Sequence, residues 1–428
     1  MSEAREIRLG VLGCGTVGTS FCQLIADQAE VIEARTGIRL RVVSVSVRDL
    51  AKPRAGVDAS LLTTDSAALV SDPGVDLVVE TMGGVEGTRE LVLAALRAGK
   101  PVVTANKALL AAHGPELYAA ADEANVDIGF EAAVAAGIPL IGPLRESLVG
   151  EDISRVMGIL NGTTNYILSQ MTEKGADYAD ALADAQALGY AEADPTADVE
   201  GHDAAAKASI LATLAFGRSV LGDDVHTEGI SKITAEDIDD ADRRGFVIKL
   251  LGVVERFDDG SIGARVFPAM VPKLHPLAAV RDSFNAVFVE GVGIDQVMLY
   301  GRGAGGHPTA AMVVGDTVNA AMNLVAKTHR RVVNLGPAVV RPVEDIESAF
   351  FVSLEVADEP GVLAAIANEF GEHMVSISSM EQEDLESTAR LLFITHHAVE
   401  SNFRATLTGI EALPAVKSVG RVLRVIGS

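Results

Sequence analysis

The chain has no tryptophan, and aromatic residues make up 4% of its 428 positions. That scarcity argues against the ring platforms on which single-stranded nucleic acids stack. Cysteine is nearly absent: Cys14 and Cys22 are the two it has. No zinc-ligand spacing can be built from them. The plain reading is a pair of free thiols in a reducing compartment, with a thiol relay as the alternative. Long apolar runs are missing too. No stretch reaches the ~20 residues needed to span a bilayer. The start, Met1-Ser-Glu-Ala-Arg-Glu-Ile7, lacks the basic-then-apolar order of a secretion signal. A cytoplasmic location with no membrane partner is expected. Positive charge is short: 35 Lys and Arg face 59 Asp and Glu, a net charge of −24. Such a field repels a polyphosphate backbone, so no nucleic-acid partner is expected. An anionic cofactor would need a locally positive site.

What is present is apolar. Hydrophobic residues reach 48%, ample for large cores, and at ~150 residues per domain the length suggests about three domains. From residue 7 to about 130, short apolar runs alternate with helical stretches. Ile7–Leu12, Leu40–Val47, Val75–Val79 and Pro101–Thr104 read as strands, and Thr88 to Ala98 as a helix ending at Gly99. That alternation predicts a parallel, doubly wound sheet. Residues 131 to 305 mix Ala-rich helices (Tyr178–Leu188, Asp203–Phe216) with strand-like pieces such as Ala264–Val271, an α+β pattern. Thr309 to Arg331 reads as one long helix, followed by a linker containing Gly336-Pro337 and Arg341-Pro342. The last ~80 residues read as a separate βαββαβ unit. It runs from the strand Phe350–Val356 through a helix opening at Pro360 to a final strand Val416–Ile426.

Gly13-Cys-Gly15-Thr16-Val17-Gly18 follows the first strand and opens a helix. Gly13 permits the tight turn, Gly15 lets a pyrophosphate approach the backbone, and Gly18 allows close helix–strand packing. Helix N–H groups left without partners supply the positive end. The ribose-reading position falls where the second strand ends, at Val47-Arg48-Asp49. An acidic residue there suits a free 2′-hydroxyl and an arginine a 2′-phosphate. Lys52 and Arg54 add positive charge nearby, which favours NADP(H), with NAD(H) as the alternative. Arg48 also reads as an ordinary surface residue.

Two segments carry unusual chemistry. In Gly189 to Lys207, five carboxylates, among them Glu192, Asp194, Asp198 and Glu200, crowd a loop leading into a helix. Asp203 and Lys207, four apart, share a face of that helix. Three alanines lie between them and Ala208, Ile210 and Leu211 follow, so the helix reads as buried. A lysine held there can have its proton affinity tuned for acid–base work; a surface salt bridge is the bland alternative. Thr104-Ala-Asn106-Lys107 sits at the carboxyl end of a parallel strand, the edge where such sheets bind ligands. Lys107 would there meet the nicotinamide side of the cofactor or the substrate, unless it merely starts a helix at the surface. Asn161-Gly162-Thr163-Thr164-Asn165 suits either hydrogen bonding to a small polar substrate or a helix-capping turn.

These pieces, in this order, resemble homoserine dehydrogenase over residues 7 to 331. Phe130-Glu131-Ala-Ala-Val134-Ala-Ala136-Gly-Ile138-Pro139 and Tyr300-Gly-Arg-Gly303-Ala-Gly305 also match. The segment from Glu192 to Lys207 is the specific part of the match. The C-terminal unit resembles an ACT domain, with its Asp358-Glu-Pro360-Gly361 start. The likeness is to the monofunctional form, and a chain without a kinase region is expected.

The resemblance implies a Rossmann-like dinucleotide-binding domain at 1–130 with a returning helix at 308–331, and an α+β catalytic and dimerisation domain at 131–307. A linker at 332–348 and a ferredoxin-like ACT domain at 349–428 would follow. It implies reversible conversion of L-aspartate 4-semialdehyde and L-homoserine with NAD(P)(H), in threonine and methionine synthesis. Lys207 is then the proton donor to the carbonyl oxygen, biased by Asp203. Lys107 steadies the developing alkoxide and touches the cofactor. Glu192 takes the substrate ammonium and Asp198 lines the same pocket. Gly162, Thr163, Gly189 and Gly303 surround nicotinamide and substrate, while Gly13, Gly15, Thr16, Val17, Gly18 and Arg48 hold the rest of the cofactor. The family also implies a sodium ion on Glu131 and the carbonyls of Val134, Ala136 and Ile138. A homodimer, or a tetramer through ACT domains, and L-threonine as feedback effector complete the expectation. Another ω-aldehyde dehydrogenase is the competing enzyme reading. A catalytically silent sensor would have no need of Lys107, Glu192, Asp203 and Lys207 together.

Overall fold

The computed structural model describes residues 4–385 and 387–427. It divides into two compact units, each gathered from three stretches of chain. The first comprises Met1–Val156, Ala206–Val225 and Asn285–Ala338; the second comprises Met157–Ala205, His226–Phe284 and Val339–Ser428.

The first unit is built on a six-stranded sheet: β1 (Arg5–Leu12), β2 (Ile38–Ser46), β3 (Leu62–Thr63), β4 (Leu77–Glu80), β5 (Val102–Thr104) and β6 (Ile128–Gly129). The order is β3-β2-β1-β4-β5-β6 and every pairing is parallel. Leu9, Val11, Leu77, Val78 and Val79 are fully buried, as continuous apolar runs covered on both faces should be. The helices Thr16–Asp27 and Gly306–Ala326 share one apolar cluster with β1: Phe21 and Ile25 from the first, Ala310, Val313 and Ala320 from the second, against Ile7, Leu9 and Val11. The strand order reverses between β1 and β4, the crevice in which open α/β sheets bind ligands. The expected doubly wound sheet is therefore present.

The second unit carries a sheet in the order β7-β8-β12-β9-β11-β10. Its strands are β7 (Phe246–Arg256), β8 (Ile262–Pro272), β9 (Glu347–Ala357), β10 (Ile377–Asp384), β11 (Thr388–Thr395) and β12 (Val416–Val425). Helices Val362–Glu372 and Glu400–Glu411 complete the expected βαββαβ order. Phe350, Ile366, Phe370, Phe393, Phe403 and Ile410 form its core. The sheet does not stop at the βαββαβ unit. β12 pairs in parallel with β8, Arg424 opposite Ala269 and Val425 opposite Met270.

Several helix limits differ from the sequence reading, among them the start of the long helix at Gly306 rather than Thr309, and two have a visible backbone cause. The long helix stops at Ala326 rather than Arg331, because Lys327 adopts a left-handed C-cap with φ of 56°. The helix read as opening with Pro360 begins at Val362, since Gly361 turns left-handed at φ 95° and holds the proline outside. Among the described residues no helix is long and apolar enough to cross a membrane.

Candidate functional site

In the first unit the glycine turn lies at the strand-order reversal. Gly13 takes φ of 91°, and a Cβ there would stand 2.8 Å from the Met82 backbone. Gly18 has as little room: a Cβ would meet the Gly13 carbonyl at 2.3 Å and Thr81 Oγ1 at 2.7 Å. At Gly15 a Cβ would find nothing within 4 Å. Gly15 is the N-cap of the helix Thr16–Asp27 and contributes no side-chain cap. First-turn N–H groups at such an end are available to an anion. The turn is held from both sides: Gly13 N donates to Ser46 O at 2.9 Å, and Thr81 Oγ1 donates to Gly13 O at 2.9 Å.

A cavity of ≈ 530 Å³ opens on this turn and runs past Ser46 to Arg48, Asp49, Lys52 and Arg54. Arg48 and Lys52 are exposed. Arg54 is half-buried and spends its N–H groups on backbone: Nε on Cys14 O at 3.2 Å, Nη1 on Asp49 O at 3.1 Å and Lys52 O at 2.7 Å. It thereby ties the cationic loop to the glycine turn. In a chain this acidic, three cations at one end of the cavity form the local positive site that an anionic cofactor requires. The residues therefore fit a dinucleotide.

The Thr104–Lys107 corner is set by a buried network. Glu80, at the end of β4, accepts from Met82 N at 2.7 Å, from Gly83 N at 3.0 Å and from the Thr104 hydroxyl. Burial pushes its carboxyl up, against these hydrogen bonds. Asn106 caps the helix Lys107–Ala124 by accepting from Leu109 N at 3.1 Å, while its Nδ2 donates to Gly84 O at 2.6 Å. Lys107, half-buried, is the first residue of that helix, so its Cα is fixed by the cap. Lys207 belongs to the same unit and is 7% exposed, on the helix His202–Phe216.

The turn after β6 also lies here. Glu131 accepts from the backbone N–H of Leu140, of Ile141 at 2.6 Å and of Gly142 at 2.7 Å. Oε1 takes two of these bonds and Oε2 one, so Oε2 keeps lone-pair capacity. Ala135 is left-handed at φ 51°. Among the described residues no backbone hydrogen bond ends on the carbonyls of Val134, Ala136 or Ile138. Hard oxygens of this kind suit a monovalent cation. Gly303, buried in this unit, is pressed on Asn285, whose Cγ would lie 2.1 Å from a Cβ at 303.

In the second unit Asn161 joins two carboxylates that lie far from it in sequence. Its Nδ2 donates to Asp198 Oδ1 at 2.7 Å and to Asp203 Oδ2 at 2.8 Å. Its Oδ1 accepts from Thr164 N at 2.8 Å, capping the helix Gly162–Lys174. Of the two readings of this segment, the capping turn is the one seen here, and the Asn161 amide nitrogen is given to the two carboxylates. Asp203 is 7% exposed and Asn161 4%. Thr163 Oγ1 donates to Tyr190 O at 2.7 Å, holding the loop that begins at Gly189, where φ is 76°. Glu192 lies on that loop, exposed, and its carbonyl accepts from Gln186 Nε2 at 3.1 Å.

Sequence reasoning passed over Glu80 and Thr81. Both follow the apolar run of β4 directly, at the same carboxyl edge that singled out Lys107, and that position was the available signal. It also missed that Asn161 is the common donor, which no local pattern announces.

Family models match nearly the whole chain. The homoserine dehydrogenase NAD-binding domain matches residues 13–131, the homoserine dehydrogenase domain 139–318, and the ACT domain 350–415. A homoserine dehydrogenase of Corynebacterium glutamicum is 49% identical, covering 98% of this chain and 95% of its own. The crystal structure of one from Thiobacillus denitrificans superposes with a TM-score of 0.94 at 41% identity, covering 98% of each chain. A hyperthermophilic archaeal homoserine dehydrogenase in complex with NADPH matches with a TM-score of 0.64 at 29% identity, over 74% of this chain and 98% of that one. The chain belongs to the homoserine dehydrogenase family, NAD(P)-dependent oxidoreductases of amino-acid biosynthesis, and carries an ACT domain at its C-terminal end.

Proposed function

We propose that the chain reversibly reduces L-aspartate 4-semialdehyde to L-homoserine, with NADP(H) preferred over NAD(H), on the route to threonine and methionine. The observation that carries this reading is the buried polar set on and around one helix: Asp203, held with Asp198 by Asn161, and Lys207 one turn further on. A bound reduced nicotinamide supplies the hydride. Everything else falls to the chain's own residues. An aldehyde carbon that gains hydride leaves negative charge on its oxygen, and an ammonium placed there lowers the barrier by donating a proton. Lys207 Nζ is that donor, and it takes the proton back in the oxidative direction. Asp203, fixed by Asn161, biases and orients it. Lys107 steadies the same oxygen from the strand edge.

Glu192 receives the substrate ammonium, with Asp198 lining its pocket. Gly162, Thr163, Gly189 and Gly303 keep the surroundings narrow. Gly13, Gly15, Thr16, Val17 and Gly18 take the pyrophosphate, and Arg48 with Lys52 takes a 2′-phosphate. The NADPH complex of the archaeal relative supports that choice. Glu131 and the carbonyls of Val134, Ala136 and Ile138 would hold sodium, which supplies a fixed positive charge that braces the turn. By analogy with other ACT domains, residues 349–428 bind L-threonine as inhibitor, between subunits of a homodimer or homotetramer. The proposed domain limits are 1–130 with 308–331 for the dinucleotide, 131–307 for catalysis and dimerisation, and 332–348 for the linker.

Steady-state assays of L-aspartate 4-semialdehyde with NADPH and with NADH, each with and without threonine, test this reading. Turnover with a lower KM for NADPH is expected. Failure to reduce the semialdehyde, with turnover of another ω-aldehyde, would reject the substrate assignment.

A further inference from the structure

Glu80 ends β4 at the carboxyl edge of the first unit's sheet, and it is fully buried. The strand before it is apolar, so packing alone asks for no charge there. A carboxylate taken out of water is costly unless hydrogen bonds fill its lone pairs. Three neutral donors fill them here. Met82 N and Gly83 N give to Oε1, at 2.7 Å and 3.0 Å, and the Thr104 hydroxyl gives to Oε2. The two oxygens thus hold two different pieces of chain.

Oε1 holds the wall of the dinucleotide cavity. Gly83 and Gly84 are left-handed, at φ 69° and 74°, and turn the chain back on Glu80. Met82 lines the cavity, and its backbone stands 2.8 Å from the place of a Gly13 Cβ. Oε2 holds the corner that carries Lys107. Thr104 Oγ1 accepts from Asn106 N at 3.0 Å, and Ala105 N donates to the Glu80 carbonyl at 3.2 Å. Asn106 caps the helix that begins at Lys107, and its Nδ2 donates to Gly84 O at 2.6 Å. The hydrogen bonds therefore close a ring, from Glu80 to Thr104, Asn106, Gly84 and back along the loop.

We propose that Glu80 is a positioning residue for the reaction: its carboxylate sets the cavity wall at Met82 and the Lys107 corner in one register. Lys107 then meets the reacting oxygen while the cofactor lies in the cavity. This rests on the role given to Lys107 above. Glu80 itself touches neither substrate nor cofactor. It acts by keeping the amine from drifting, and a displacement of about 1 Å at such a group costs about 100-fold in rate.

The chemistry of the side chain separates its two grips. An amide has one acceptor oxygen where a carboxylate has two. In Glu80→Gln that oxygen stays on Met82 N and Gly83 N, because turning the amide over would set its NH2 against both donors. The NH2 then faces the Thr104 hydroxyl, which loses its acceptor. The wall is kept and the corner is released.

The test compares full-length Glu80→Gln, Lys107→Ala and the double variant. NADPH affinity is read by titration, and semialdehyde reduction in a single turnover. Glu80→Gln is expected to bind NADPH as wild type does and to reduce the semialdehyde at least about tenfold more slowly. In the Lys107→Ala background the same substitution should slow the step no further, because the two residues act as one unit. Thr104→Val cuts the same bond from the other side and carries the test if Glu80→Gln does not fold. Thr104→Ser, which keeps the hydroxyl, should recover the rate that Thr104→Val loses. A wild-type rate in Glu80→Gln or in Thr104→Val overturns the proposal. So does a loss that persists undiminished without Lys107, or a matching loss of NADPH affinity, since either marks a merely structural group. A wild-type rate in Lys107→Ala alone would reject the role of Lys107, and the proposal with it.

Discussion

Charge is handled in opposite ways at the two ends of this chain's sequence. At the dinucleotide cavity Arg48 and Lys52 stand exposed, with their charge directed to solvent or ligand. In the sheet of the second unit Arg424 is buried. It pairs with Glu400 at 2.7 Å, both side chains being at most 6% exposed, reaches Glu228 at 2.8 Å, and lies over the Phe267 ring. Solvent-facing cations add little to folding and much to anion affinity. A buried ion pair adds little net stability, yet losing one member strands the other. The same residue type therefore predicts a binding defect at one place and a folding defect at the other.

The largest effect expected from breaking this contrast is at the buried end. Arg424→Gln should lower unfolding free energy by about 3 kcal/mol, the low end for a broken buried pair, because Glu400 then keeps only the half-exposed Arg404 as its cation; denaturant titration measures it. The variant should also lose an acid response. Burial opposes ionisation of Glu228, but the His226 ring and Arg424 prevail and hold its pKa at about 2. A depressed carboxylate contributes stability above its unfolded pKa of 4.5 that disappears as pH falls from there toward 2. Wild type should show that loss more steeply than Arg424→Gln.

Asn161→Ala comes next. It removes the donor shared by Asp198 and Asp203, and kcat should fall about 100-fold, the scale of a small misplacement of catalytic groups. An unchanged kcat would show that the two carboxylates need no common anchor. Arg48→Asp should be smallest. The selectivity for NADPH over NADH should drop about tenfold, worth ~1.4 kcal/mol, with the unfolding midpoint unmoved. Unchanged selectivity would assign the phosphate to Lys52 instead.

The same contrast explains what the sequence makes readable. The glycine turn, the parallel strands and the burial of Lys207 are local patterns: an apolar run, a glycine spacing, an alanine-flanked lysine. That Arg48 lines the cavity was legible because the end of the second strand is a known reading position. The Asn161 bridge spans 37 residues to Asp198 and 42 to Asp203, and no periodicity records it. The β8–β12 pairing is made by backbone atoms, so the side chains of residues 269 and 424 carry no trace of it. Glu80 was hidden for a related reason: its three donors become visible only when the strand ends are brought together. The helix end at Lys327 went unread because lysine, unlike glycine, gives no sign of a left-handed cap.

The central claim is that a buried amine supplies the proton as hydride arrives. Its most direct test is single-turnover reduction of L-aspartate 4-semialdehyde by Lys207→Ala, with NADPH binding measured on the same sample. The account predicts a chemical step slower by about 10²–10⁴ while NADPH binds as in wild type. A chemical step at near wild-type rate, with the cofactor bound, would contradict it.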